Sequence, residues 1–151
     1  MKLNIGCGKD YKEGYINVDI SDKVKQDLVV DIEKGLPWGE DTFAEVVCFN
    51  VLTQVLAPQA FRKIMNELWF ITKPDGHIFI RVPYALDECA WQDPMDCRRF
   101  TPESFTYMQE GHRRYEQYGK HYGFLPFSVK LMESNGRQMI FDLSPVKPYK
   151  I

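Results

Sequence analysis

LNIGCGKDYKEGYINVDI, residues 3–20, reads as strand, glycine turn, short crossover and strand, with an acidic residue near the end. Leu3 and Ile5 lead into Gly6-Cys7-Gly8, where the backbone bends sharply and comes close to something. Glycine allows such a turn because it lacks a Cβ. Tyr15 to Ile20 is apolar and β-branched again, with Asp19 near its end. A carboxylate at the tip of a second strand is placed to accept hydrogen bonds from ribose hydroxyls.

The turn does not satisfy the dinucleotide pattern. A third glycine is missing, since Tyr11 occupies its position. Asp19 also follows Gly6 sooner than the usual spacing of roughly 20 residues. No helix start follows to receive a pyrophosphate, and Lys9-Asp10 is a poor phosphate cradle. The residues therefore point to a nucleoside without phosphates.

At 151 residues the chain is long enough for one domain with one core, taken here as 1–151. A net charge of -2 supplies no broad basic field, which argues against a nucleic-acid partner. There is no signal peptide and no apolar run of membrane-spanning length, so a cytoplasmic protein without a membrane partner is expected. The four cysteines, Cys7, Cys48, Cys89 and Cys97, read as free thiols. Cys89 and Cys97 with His112 and His121 do not have the paired spacing of a zinc site, so no metal is expected.

Further strands are expected at Gln26–Ile32, Glu45–Val51 and His77–Val82. Pro58 opens a helix whose Phe61, Ile64, Met65 and Leu68 form one apolar face, and Lys73-Pro74-Asp75-Gly76 stops it. Residues 85–124 are irregular, aromatic and charged. Thr101-Pro102 resembles a helix start there. Asn135-Gly136 predicts a hairpin of strands Phe127–Glu133 and Arg137–Leu143, followed by a loose tail. Five strands of parallel type thus precede an antiparallel hairpin.

LNIGCG, INVDI, DIEKGLPWGEDTFAEVVCFNVL, ELWFITKPDGHIFIRVP and WQDPMDCRRFTPESF together resemble the type 11 methyltransferase-domain family, small class I enzymes that use S-adenosylmethionine (SAM). The resemblance implies an α/β, Rossmann-like class I methyltransferase sheet with a C-terminal antiparallel hairpin. It also implies SAM as cofactor and a small-molecule or sugar-like methyl acceptor. Asn4 takes the acidic position of the family's first motif and Asp10 the place of its third glycine. Gly6, Cys7 and Gly8 would then pass under the methionine part. Asp19 would bind the ribose, with Ile20 against the adenine. Asp31 and Ile32 would hold the adenine edge, and Asn50 and Val51 would line the floor near the methyl group. Each has a plainer role open to it: a tight turn for the glycines, loop caps for the two aspartates.

Relatives often read V-L-E-H after the fourth strand and D-P-T-H before F-T-P-E-S-F. Here Thr53-Gln54 and Met95-Asp96 stand instead, so both histidines are absent. Candidate bases are Asp93, Asp96 and His121. Arg98, Arg99 and Trp91 are candidate substrate contacts, since guanidinium pairs well with carboxylate and phosphate. The lost histidines keep a second reading open, a non-catalytic SAM-binding or scaffold protein.

Length adds a last expectation. Only Lys9–Gly14 and Ser21–Gln26 join the first three strands, too few residues for packed crossover helices. One sheet face should lack helices although its strands read as buried. Its cover would be a second copy of the chain, giving a homodimer, or else residues 85–124, with Trp91, Phe100, Phe105 and Tyr107 as the covering side chains.

Overall fold

The computed structural model describes residues 1–148. Its strands are β1 (Lys2–Ile5), β2 (Ile16–Asp19), β3 (Leu28–Val29), β4 (Phe43–Phe49), β5 (Thr72–Pro83), β6 (Phe127–Ser134) and β7 (Gln138–Pro145). They form one seven-stranded sheet in the order β3-β2-β1-β4-β5-β7-β6. The first five run parallel, and β7 lies antiparallel against β5. The hairpin closes with Gly136-Arg137 between Asn135 and Gln138, one residue later than the Asn-Gly pair predicts. Asn135 causes the shift, because its Oδ1 accepts from the N–H groups of both Arg137 and Gln138.

Helix α1 (Pro58–Ile71) buries Phe61, Ile64, Met65 and Leu68, the expected face, together with Trp69 and Ile71. It ends before Lys73 because the residue preceding a proline is disfavoured in helical conformation. Lys73–Gly76 does not separate helix from strand as a loop. Thr72 pairs with Phe43 and His77 with Glu45, so those four residues form a bulge inside β5.

No helix occupies either short crossover among the described residues. The side of the sheet away from α1 is only partly covered, however: Asn4, Asn17 and Val47 are buried there, while Phe49, Phe79 and Ile140 are partly exposed. On the α1 side, Leu3, Ile5, Val46, Cys48, Ile78, Ile80, Phe141 and Leu143 join one core. The opposite face alternates with it and is largely polar. Asn17, Asn4, Val47, Phe79 and Asp142 stand in one register row across it. Its rings carry cations: Arg81 lies 4.6 Å from the Phe49 ring, Lys12 5.9 Å from the same ring and Lys2 5.4 Å from Tyr15. His77 stacks on Phe79 and bonds Asp142 at 3.0 Å.

The short crossovers are held by side chains instead of helix packing. Asn4 Nδ2 donates to the Asp10 carbonyl (2.8 Å) and to Asn17 Oδ1 (2.9 Å). Asn17 Nδ2 donates to the carbonyls of Lys12 and Tyr15, and its Oδ1 accepts from Lys12 N–H. Asp27 accepts from Asn17 N–H and from the Tyr11 hydroxyl, which hold its carboxyl below the usual range. A depressed carboxyl stabilises the fold above its unfolded value, and that contribution is lost only as pH falls through the folded one.

Three expectations need correction. Gln26–Ile32 contributes only Leu28–Val29 to the sheet, and these are 43% and 51% exposed, since β3 is the edge strand and pairs only with β2 among the described residues. Thr101 does accept from Glu103 N–H, but a 3-10 turn follows at Ser104–Met108, not an α-helix. The chain near its end is docked to Lys147, whose ammonium donates to the Thr72 carbonyl (2.8 Å) and pairs with Asp41. The last three positions lie outside the described residues.

Residues 85–124 do fold back, but onto the α1 side. Phe100 stacks on Phe105 (5.6 Å), Phe105 meets Phe141 (4.7 Å) and Phe61 meets Phe124 (6.1 Å). Phe105→Ala should therefore cost about 3–5 kcal/mol in urea unfolding. Phe79→Ala on the polar face should cost well under half of that. Equal losses would mean that the polar face is as much core as the other.

Candidate functional site

The carboxyl ends of the parallel strands open into a cleft with ≈ 770 Å³ of space between its walls, lined by Gly6, Asp19, Ile20, Asp31, Asn50 and Val51 among others. It sits where the sheet order reverses, between β1 and β4. Ligands bind at such switch points in open α/β sheets.

Gly6 makes the floor. Its φ is +66°, and a Cβ there would lie 2.2 Å from Val51 Cγ2. The left-handed conformation and the close approach both require glycine. Across from it Asn50 holds φ +57°, a costly conformation for a side-chain-bearing residue. Arg81 fixes that end: its carbonyl accepts from Asn50 N–H (2.8 Å). With the Asn50 amide turned to suit both groups, Oδ1 accepts from Arg81 Nε (3.2 Å) and Nη2 (3.1 Å).

The carboxylates are anchored from behind. Asp19 Oδ2 accepts from Gly8 N–H (2.8 Å) and Oδ1 from Ser21 N–H (2.9 Å). Asp31 Oδ1 accepts from Glu33 N–H (3.0 Å), capping the 3-10 turn Ile32–Lys34. A carboxylate has about four lone-pair sites, so each keeps acceptor capacity toward the cleft. The loop-cap role and a ligand-binding role are therefore compatible at both positions. Glu33 joins the lining, and no lysine or arginine does.

Seven of the residues expected at a cofactor, Gly6, Asp19, Ile20, Asp31, Ile32, Asn50 and Val51, meet in this cleft. Asn4, Cys7 and Gly8 stand outside its lining. Asn4 faces the polar side of the sheet and ties down the crossover. Cys7 is buried, with its thiol toward the Lys25 carbonyl. Burial first, then the charge of Asp19, push that thiol's pKa up. Gly8 acts through Asp19. Cys48, fully buried, is pushed up to about 12. Neither cysteine is an activated nucleophile.

The remaining candidates are elsewhere. Asp93 is exposed and caps Met95 N–H. Asp96 accepts from Arg99 Nη1 through its carbonyl, and His121 is exposed on the short helix Lys120–Tyr122. None of the three lines the cleft. Trp91 is 61% exposed, donates to the Ala85 carbonyl and has the Arg99 guanidinium 4.3 Å from its ring. Arg98 donates to the carbonyls of Val55 (2.8 Å) and Leu56 (3.2 Å). These groups fasten loops and do not reach the cleft. Gln54 and Val55, which no strand or helix pattern marks, do line it; the absent histidine at position 54 was the signal in the sequence.

No family model matches the chain, and no curated protein does. Solved structures resemble it closely in fold. YcgJ from Bacillus subtilis is 16% identical with a TM-score of 0.62, over 97% of this chain and 92% of that one. A SAM-dependent methyltransferase from Archaeoglobus fulgidus is 16% identical with a TM-score of 0.63, over 95% and 85%. DhpI, solved as a complex with SAM and HEP, is 12% identical with a TM-score of 0.66, over 95% and 78%. The chain has the class I SAM-dependent methyltransferase fold.

Gly6→Ala should destabilise the protein by about 1–3 kcal/mol, through overpacking against Val51 and strain at positive φ. The double variant with Val51→Ala should recover part of the loss, because it removes the Cγ2 contact. Thermal unfolding of both checks this. No recovery would place the whole cost in the backbone.

Proposed function

We propose that this protein is a SAM-dependent methyltransferase acting on a small-molecule or sugar-like acceptor, and that residues 1–151 work as one such domain in the cytoplasm. The observation that carries the reading is the charge of the cleft. Asp19, Asp31 and Glu33 line it without any basic side chain. A pyrophosphate would be repelled there. A nucleoside bearing a sulfonium cation is attracted, and the two anchored aspartates suit its ribose hydroxyls and adenine amino group. Ile20 and Ile32 supply apolar walls for a flat base.

Bound there, SAM supplies a methyl group on a good leaving group. The chain's own part is to hold and align. Gly6 admits the ligand against the backbone, Asp19 fixes the ribose, and Asn50, locked by Arg81, shapes the end of the cleft nearest Val51 and Gln54. Alignment of an acceptor atom with the methyl carbon supplies much of the acceleration in such a transfer. No candidate base reaches the cleft, which agrees with an acceptor that needs none. The same observation favours the second reading, a SAM-binding protein without turnover.

Calorimetry should show SAM or S-adenosylhomocysteine binding, and NADH should not bind. Binding of NADH alone, with none of SAM at millimolar concentration, would overturn the proposal. Asp19→Ala should weaken binding by about one to two decades, the worth of hydrogen bonds to a charged acceptor. A change below about threefold would take Asp19 off the ribose. Methyl transfer to a broad panel of hydroxyl and amine acceptors separates enzyme from scaffold.

A homodimer belongs to the same proposal. Phe49, Phe79 and Ile140 are only partly covered on the polar face, and a second copy packing there by a two-fold axis would bury them. Light scattering during size exclusion should give twice the chain mass. A monomer at high micromolar concentration excludes it.

A further inference from the structure

A second cavity lies beside the start of α1, with ≈ 1010 Å³ of space between walls that include Phe61, Arg62, Arg98, Tyr107, Tyr122 and Phe124. It shares no lining residue with the cleft at the strand ends. We propose that this cavity is a separate binding site for a small planar aromatic anion, a carboxylate attached to a ring.

The charge of the walls argues for an anion. Two guanidinium groups line the cavity and no acidic residue does. Among the described residues neither Arg62 nor Arg98 is ion-paired, although seven other lysines and arginines are. Arg98 pays for this isolation, since burial holds its pKa below the usual value. Its Nε and one Nη2 hydrogen are spent on the carbonyls of Val55 and Leu56, and Nη1 has no acceptor among the described residues. Arg62 spends Nη1 on the Tyr122 carbonyl (3.0 Å). A fork with free donors in a partly dry wall is suited to a carboxylate.

The start of α1 adds to this field. Pro58 and Gln59 also line the cavity. The N-cap is Ala57, and no side chain caps the helix. Pro58 has no N–H and Phe61 N–H bonds the Ala57 carbonyl, so the free donors of this first turn are Gln59 and Ala60 N–H, and the positive end of the helix lies beside a wall that already carries two guanidinium groups. The rest of the wall is aromatic. Arg98 stacks 4.4 Å over Phe61, Phe124 meets Phe61 edge-on, and Tyr107 lies nearly parallel to Tyr122. Rings of this kind favour a flat hydrophobic body beside the charged group. Charge and shape together select an aromatic carboxylate over a bare phosphate, which the rings would not help, and over a neutral ring, which would leave the guanidinium groups unanswered.

Cinnamate and its neutral isostere cinnamamide test the proposal by calorimetry. Cinnamate should bind, and cinnamamide should bind at least about tenfold more weakly, as loss of charge-assisted hydrogen bonds requires. Arg62→Gln, at an exposed side chain that the core does not use, should weaken cinnamate about three- to tenfold and leave cinnamamide unchanged. Tyr122→Ala should weaken both. S-adenosylhomocysteine should bind the cinnamate-saturated protein as well. Equal affinity for the two compounds overturns the proposal, as does indifference to Arg62→Gln, or no binding of cinnamate at about 10 mM. Competition with S-adenosylhomocysteine would move cinnamate to the other cleft and overturn it too. The cinnamate measurements do not depend on SAM binding, and failure of S-adenosylhomocysteine to bind even the free protein counts against the proposed function and not against this site.

Discussion

Two buried amides, Asn4 and Asn17, hold the N-terminal half of this sheet together. They sit opposite each other in the β1–β2 register and bond to one another at 2.9 Å. Between them they satisfy three carbonyls and one N–H of the residue 10–15 crossover. Buried polar groups are costly unless paired, and a paired network fixes one geometry. A crossover this short cannot form a packed helix, so its backbone groups need other partners. The asparagines provide them from the strands themselves. Asn17 also passes the constraint to the next crossover through Asp27.

That arrangement explains the asymmetry of the sheet. Where asparagines anchor loops, the outward side of the strands does not have to be apolar. β4 and β5 follow suit, with Glu45, His77 and Arg81 outward and Val46, Ile78 and Ile80 inward. The single long helix and the aromatic return of residues 100–127 are concentrated on the inward side. Phe141 lies at the junction, opposite Ile80 in the sheet and against Phe105 from the returning segment. The C-terminal hairpin is therefore both the last pair of strands and the floor for that segment.

Local signals in the sequence were informative and long-range ones were not. The glycine turn, the two aspartates and the hairpin could be read because each depends on residues close in sequence. Asn4 stands outside the cleft lining, and its partners in the fold, Asp10 and Asn17, show only in three dimensions. EVVCFNV and HIFIRV look apolar as runs, and their alternation into two unlike faces is hidden by Val47 and Phe79. Arg98, Arg99 and Trp91 carry the residue types of a substrate site. Their carbonyl and ring partners, Val55, Leu56, Asp96 and Ala85, are not marked by any spacing.

The segment 53–58 separates two environments of opposite sign. On one side Gln54 and Val55 line a cleft with three carboxylates. On the other, Pro58 opens a cavity with two guanidinium groups. Arg98 holds the partition in place by bonding the carbonyls of Val55 and Leu56, while the Thr53 carbonyl accepts from the N–H groups of Cys97 and Arg98. A chain with net charge -2 has thus separated its charges locally. Arg98 thus ties the wall of the second cavity to Val55, a wall of the acidic cleft. The two pockets share no residue, yet they share this one mechanical link.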